Sequence, residues 1–286
     1  MDTTKIASVL SVTDEDVRSF LGIDKVKKAG LPKILIPTTS GTGSEWSGVG
    51  VVTDPADGQK KVIYSKYVWG DAVIIDPMMT INLPPRITGD TGMDALSHGI
   101  EAYTTWKANI ISDMCAEKCI QLVAENLRIA YAKGSKHLEA RYKLSIAAAL
   151  GMQAVMCSAA GIVHSMNYPI GVKAHITHGA AISIMLPHVM EFNLIGNPAK
   201  YARIAQLMGE DISGLSEIEA ARKSVEAVRK LSQDVGMPQR LRDVGIKKED
   251  IPGFVDYLFE FQLYGMENNA RDLTREEATK IYEAAW

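Results

Sequence analysis

The sequence predicts an α/β region over residues 1–84 followed by an all-helical region over residues 85–286. Three observations carry that expectation. Short β-branched runs bounded by Gly, Pro or Asp end at Pro84-Pro85. Beyond that point, apolar residues recur at helical spacing over long stretches. No internal repeat or low-complexity segment interrupts either part. At 286 residues, 47% of them hydrophobic, the chain has ample length for a core.

Taken in order, residues 2–10 read as an amphipathic helix with no strand and no glycine turn before it. Strands are expected at 33–37 (KILIP), 49–53 (VGVVT), 62–65 and 72–76 (AVIID), about four in all and fewer than a dinucleotide domain normally uses. Helices are expected over 112–132, 138–156, 199–207 and 218–235. Thr274-Arg-Glu-Glu277 is a capping-box pattern that opens a last short helix.

Composition excludes several classes. A net charge of −3 without a basic cluster argues against nucleic acid as the main partner. No window approaches eighteen uninterrupted apolar residues, so no membrane span is expected. The N-terminus is polar from Asp2 and carries no signal-peptide core, which makes the cytoplasm the expected location. Cys115, Cys119 and Cys157 read as reduced thiols packed as small hydrophobes.

Chemistry points to the histidines. Asp94 and His98 are four apart, which puts both on one face of a helix about one turn apart. His164 and His178 are fourteen apart, roughly 21 Å along a straight helix, too far to share an ion. Pro169 and Gly171 lie between them and are expected to break or redirect the helix, so that a reversal brings the two imidazoles to one point. Read singly, each histidine is an ordinary helix-end or core residue. His137 looks like solvated surface, His188 structural, and His175 a loop residue or a partner of a ligand.

Gly92-Met-Asp-Ala-Leu-Ser-His-Gly-Ile-Glu101 and the stretch from Gly161 through His164 to His178-Gly179 resemble the two signature segments of the iron-containing (group III) alcohol dehydrogenases. Pro37-Thr-Thr-Ser-Gly-Thr-Gly-Ser-Glu45 resembles that family's cofactor-side loop, and the likeness runs to Ala284-Ala-Trp286. The resemblance implies a dehydroquinate synthase-like fold: the remnant of a nucleotide-binding α/β domain, then an all-α metal-binding domain. It also implies a metal held by Asp94, His98, His164 and His178, an NAD or NADP cofactor lined by Thr38, Thr39, Thr42 and Lys60, and a small alcohol or aldehyde substrate. One carboxylate with three imidazoles suits Fe²⁺ or Zn²⁺ better than Mg²⁺ or Ca²⁺, with iron favoured by the family. Such an ion polarises a carbonyl as a Lewis acid while the nicotinamide carries hydride. No side chain is singled out as a proton donor or acceptor.

Two departures from the family stand out. Its members carry about a hundred residues ahead of the point matching Met1, including a glycine turn on the pyrophosphate, so the resemblance implies weakened dinucleotide binding, impaired activity and a bare sheet edge covered by self-association. Tyr168 stands where many members have His, as a specificity or packing difference. The alternative functions are a non-catalytic metal-binding or assembly protein of the same descent and a glycerol dehydrogenase-like zinc enzyme.

Overall fold

The computed structural model describes residues 1–54 and 60–286. Helix α1 (Asp2–Leu10) opens the chain as the apolar spacing predicts. It is fastened by polar contacts. The buried Lys5 ammonium donates to the carbonyls of Ser44 and Val49 at 2.8 and 2.6 Å and to the hydroxyls of Ser44 and Ser47 at 3.2 Å each. Asp2 accepts from the Ser44 hydroxyl at 2.6 Å and the Val51 N–H at 2.9 Å. Burial depresses the Lys5 pKa to about 8, against the attraction of Asp2 and Glu45.

Strands β1 (Gly22–Ile23), β2 (Ile34–Leu35), β3 (Val49–Thr53), β4 (Lys60–Tyr64) and β5 (Ala72–Val73) make two small sheets, ordered β1-β4-β3 and β2-β5. β3 and β4 are antiparallel, with Val51 opposite Val62, whereas β1–β4 and β2–β5 are parallel. All four expected strands are present, but β2 and β5 pair over two residues each, with no other ladder partner among the described residues. β1 was not legible in the sequence. Ile6, Val9, Phe20, Val26, Ile63 and Val68 form a small apolar cluster beneath these elements. Leu35 is buried, while Ile34, Ile36 and Ile74 are 64%, 42% and 49% exposed, which leaves one side of the β2–β5 pair bare.

From Pro85 onward the described residues contain helices and no strand. These are α2 (Pro85–Thr104), α3 (Ile110–Lys133), α4 (Leu138–Cys157), α5 (Ile162–Ala174), α6 (His178–Asn193), α7 (Pro198–Leu207), α8 (Glu217–Asp234), α9 (Ile251–Phe261), α10 (Leu263–Asn268) and α11 (Arg275–Ala285). The four helices expected from spacing are α3, α4, α7 and α8, each within two residues of the expected ends. Local signals set their starts. Pro85 occupies the first turn of α2, where its missing N–H costs nothing. Asn109 with Ser112 caps α3, Ser216 with Glu219 caps α8, and Thr274 with Glu277 caps α11 as expected.

Helix α2 is the axis of this part, buried over most of its length and packed by α3, α4 and α6. Helix α6 with the turn after it, His178–Gly196, is long and apolar enough to cross a membrane by composition, but 72% of that stretch is buried against other helices.

Candidate metal centre

The site begins with a face of α2. Asp90, Asp94 and Glu101 are spaced by four and seven residues, which on a helix of 3.6 residues per turn keeps them on one stripe; Ser97 and His98 fall on the same stripe. All five are buried. Buried carboxylates need partners, and those of α2 find them on α5 and α6.

The reversal that the sequence requires between His164 and His178 is present, at a different place. Helix α5 runs on through Pro169 and Gly171 to Ala174, and the chain turns at His175, whose φ is +52°. Proline removes one intrahelical hydrogen bond, and packing of α5 against α6, α9 and α10 keeps the helix intact past it. Helix α6 then starts at His178. Its N-terminus is seated by Asp90, which accepts from the Thr177 hydroxyl at 2.8 Å and from the backbone N–H of Ala180. A Cβ on Gly179 would stand 2.0 Å from the Asp90 carbonyl oxygen, so only glycine permits this approach. The seating puts His178 one turn along from Asp90, beside Asp94.

One ligand atom from each of Asp94, His164 and His178 lies within 4.8 Å of the other two. The Nε2 atoms of His164 and His178 are each 3.6 Å from Asp94 Oδ1. His98 stands against this triplet rather than within it: its Nδ1 is 4.0 Å from Asp94 Oδ1, and its ring stacks on His164 with centroids 4.5 Å apart. Asp94 Oδ1, His98 Nδ1 and His164 Nε2 are buried without a hydrogen-bond partner. Such orphans are costly, and a divalent cation held by Asp94, His164 and His178 would satisfy Asp94 Oδ1 and His164 Nε2, with His98 Nδ1 beside it. The donor set therefore fits a metal.

Electrostatics agree. Burial works against the Asp94 charge, but His98, then His164 and His178, hold its carboxyl well below the usual carboxylate range. Burial pushes His98 and His178 down to about 4 each, against the pull of Asp94, leaving neutral imidazoles. Burial also acts on His164, but Glu101 and Asp94 outweigh it and raise its pKa to about 10.

Glu101 is the residue that sequence reasoning passed over. One of its carboxylate oxygens receives His164 Nδ1 in a short hydrogen bond and the Ser97 hydroxyl at 3.2 Å; the other accepts the Val163 N–H at 2.8 Å. The available signal was its spacing of seven from Asp94.

The four residues expected to line a cofactor lie at or near the surface: Thr38, Thr42 and Lys60 are exposed and Thr39 is half-buried. Their loop rests on the metal-site helices. Ser40 hydrogen-bonds Ser145 of α4 at 2.9 Å, and Gly41 abuts Thr91 of α2, three residues from Asp94. Gly43, at φ +60°, faces the Ala148 carbonyl so closely that a Cβ would stand 2.5 Å away. The Lys60 ammonium reaches 5.8 Å from the Tyr168 ring centroid, and Tyr168 is 5.9 Å from the His178 ring. Tyr168 is half-buried, and burial pushes its phenol up to about 12, so it stands neutral beside His178. His137 and His175 are exposed. His188 is half-buried, and burial pushes it down to about 4. The three cysteines are free thiols, as expected; Cys119 is buried and donates to the Ala95 carbonyl at 3.2 Å.

Residues 1–77 match the iron-containing alcohol dehydrogenase family, and residues 88–286 match the C-terminal part of the Fe-containing alcohol dehydrogenase family. The sulfoacetaldehyde reductase of Bilophila wadsworthia is 38% identical over 99% of this chain and 73% of its own length. The 1,3-propanediol dehydrogenase of Klebsiella pneumoniae is 38% identical over 100% of this chain and 73% of its own length. A crystal structure of 1,3-propanediol oxidoreductase superposes with a TM-score of 0.95 at 37% identity, over 100% of this chain and 74% of that one.

Proposed function

The chain belongs to the iron-containing alcohol dehydrogenase family, and from that premise we propose that it moves hydride between a small alcohol or aldehyde and NAD(P) at a site built on Asp94, His98, His164 and His178. The observation that carries the proposal is the set of buried, partnerless atoms Asp94 Oδ1, His98 Nδ1 and His164 Nε2, with His178 Nε2 3.6 Å from the same carboxylate oxygen. A divalent ion there, Fe²⁺ by family and Zn²⁺ by ligand type, supplies Lewis acidity toward the substrate oxygen.

The protein's own groups do the rest. Asp94 provides the single negative charge of the ligand set, so a divalent cation keeps net positive charge toward the substrate. The half-buried ring of Tyr168 lies 5.9 Å from that of His178, and its neutral phenol offers a hydrogen bond rather than a charge. The loop carrying Thr38, Thr39 and Thr42 rests against α2 and α4, and the Lys60 ammonium overhangs Tyr168 from the β4 side. These four residues are the proposed cofactor contacts, with the lysine suited to a phosphate or ribose oxygen.

The division at residues 84/85 belongs to the same reading, supported by two separate apolar clusters on its two sides. So does self-association, supported by the bare isoleucines of the β2–β5 pair.

The deciding experiment is metal analysis of the wild-type chain beside His98→Ala, His164→Ala and His178→Ala. One ion per wild-type chain, with uptake lost in the variants, is expected. Full stoichiometry in His164→Ala and His178→Ala overturns the assignment. NADH consumption with short aldehydes after loading with Fe²⁺, together with calorimetric titration of NAD and NADP, then tests catalysis and cofactor use separately.

A further inference from the structure

Among the groups that touch no proposed substrate or cofactor, Glu101 is the most constrained. It is a buried carboxylate with all its contacts inside the protein: the Val163 N–H at 2.8 Å, the Ser97 hydroxyl at 3.2 Å and the Nδ1 of His164. Its partners span two helices. Ser97 sits one turn earlier on α2, whereas Val163 and His164 form the first turn of α5. Glu101 is thus a bracket between the helix that bears Asp94 and the helix that bears His164.

The bracket has a chemical direction. A carboxylate accepts and does not donate, so the shared hydrogen belongs on His164 Nδ1. With Nδ1 occupied as a donor, Nε2 is the ring nitrogen left for an ion, which would take the place of any proton there. That is the atom 3.6 Å from Asp94 Oδ1, and it has no hydrogen-bond partner of its own. We propose that Glu101 is a positioning residue that keeps a proton on His164 Nδ1 and fixes the ring orientation, so that Nε2 is the nitrogen left for a metal ion beside Asp94. The inference rests on the metal-site reading above.

The alternative role is purely mechanical: Glu101 joins α5 to α2, and any group able to hold the Val163 N–H does as well. Glu101→Gln separates the two. The amide oxygen still accepts from Val163, but the amide NH₂ then faces His164 Nδ1 and calls for a lone pair there, which moves the ring hydrogen to Nε2 and onto the ion's position. Glu101→Asp keeps the charge and shortens the arm by one methylene.

Zn²⁺ affinity is measured by chelator competition on the full chain, and the melting temperature is measured without metal. Wild type is expected to bind one Zn²⁺, Glu101→Gln to bind 10–100-fold more weakly, as outer-shell substitutions commonly do, and Glu101→Asp to recover part of that loss. The absorption spectrum of the Co²⁺-loaded proteins is expected to change in Glu101→Gln, and to return toward wild type in Glu101→Asp. A mechanical role instead lowers the metal-free melting temperature while leaving affinity and spectrum in place, and that result overturns the proposal. Should the variants fail to fold, wild type answers alone. Long-range ¹H–¹⁵N spectra of the Zn²⁺-loaded chain are expected to show His164 protonated at Nδ1, and a ring protonated at Nε2 overturns the assignment. Wild type that takes up no Zn²⁺ overturns the metal-site reading and this inference with it; wild-type uptake matched by Glu101→Gln overturns this inference alone.

Discussion

Residues 85–286 share one large apolar cluster that runs from Met93 on α2 to Ala285 on α11, whereas the described residues before Pro85 gather only Ile6, Val9, Phe20, Val26, Ile63 and Val68. In the helical part, polar groups are placed inside a large apolar core, and Asp94, His164 and His178 each bring one ligand atom within 4.8 Å of the others, with His98 stacked beside them. In the α/β part, polar groups do the fastening. Lys5 and Asp2 pin α1 to the loop before β3, and Asp71 holds the Lys33 backbone N–H at 2.7 Å. The lesson is that the same residue types carry binding chemistry in one part and architecture in the other, according to how much apolar burial surrounds them.

The sharpest way to break this contrast is a pair of cavities. Leu96→Ala and Ile63→Ala each remove a fully buried side chain and are expected to cost about 2–5 kcal/mol locally. Leu96→Ala should shift the main calorimetric transition and weaken Zn²⁺ uptake. Ile63→Ala should lower only an earlier, smaller transition and leave uptake intact. If both variants move one common transition together, the two parts are a single cooperative unit and the contrast fails.

Gly179→Val tests whether the site depends on helix docking rather than on ligand identity. The added side chain meets the Asp90 carbonyl, a backbone group that cannot swing aside, so the N-terminus of α6 must move. A loss of about 1–3 kcal/mol is expected, with Zn²⁺ uptake lost although all four proposed ligands remain. Wild-type uptake in this variant would show that the Asp90–Gly179 contact does not place His178.

How far these features were legible follows from their range. Asp94 and His98 could be paired from spacing alone, because one helix turn is local geometry. His164 and His178 needed the family resemblance and an inferred reversal, and the reversal was placed near Pro169 when packing carries α5 on to Ala174. Glu101 and Asp90 lie on the Asp94 stripe and were readable as such, yet their partners sit on α5 and α6, and no spacing rule names a partner across helices. The Thr38–Gly43 loop was recognised by resemblance, but its seat on α2 and α4 is a contact between elements distant in sequence. β1, two residues beginning with Gly22, offers no run to read.

Lys5 gives the α/β part a pH signature. Its folded pKa of about 8 lies below the ordinary 10.5, so its contribution to stability is present above the unfolded value and is lost as pH falls through the folded one. Between pH 7 and pH 9.5 the wild type should gain roughly 2 kcal/mol relative to Lys5→Met, as linkage at those two pKa values requires. Denaturant unfolding of both proteins at each pH, followed by a probe in the α/β part, measures it. A difference that stays flat with pH would mean that Lys5 is not charged and buried as described.

The smallest expected effect concerns the bare side of the β2–β5 pair. Ile34 and Ile74 are about half exposed or more, whereas Leu35 is buried, so replacing the two isoleucines removes little buried area. Ile34→Thr with Ile74→Thr keeps β-branching on both strands and is expected to change monomer stability by no more than about 0.5 kcal/mol. On the proposed self-association, the same double variant should shift the chain toward smaller species, since two exposed apolar side chains have been made polar. Sedimentation of wild type and variant across a hundredfold concentration range separates the effects. A large drop in stability with unchanged assembly would place these isoleucines in a hidden core and overturn the description of this face as bare, whereas a change in assembly alone marks the α/β part as the region where the chain seeks its missing burial from a second copy.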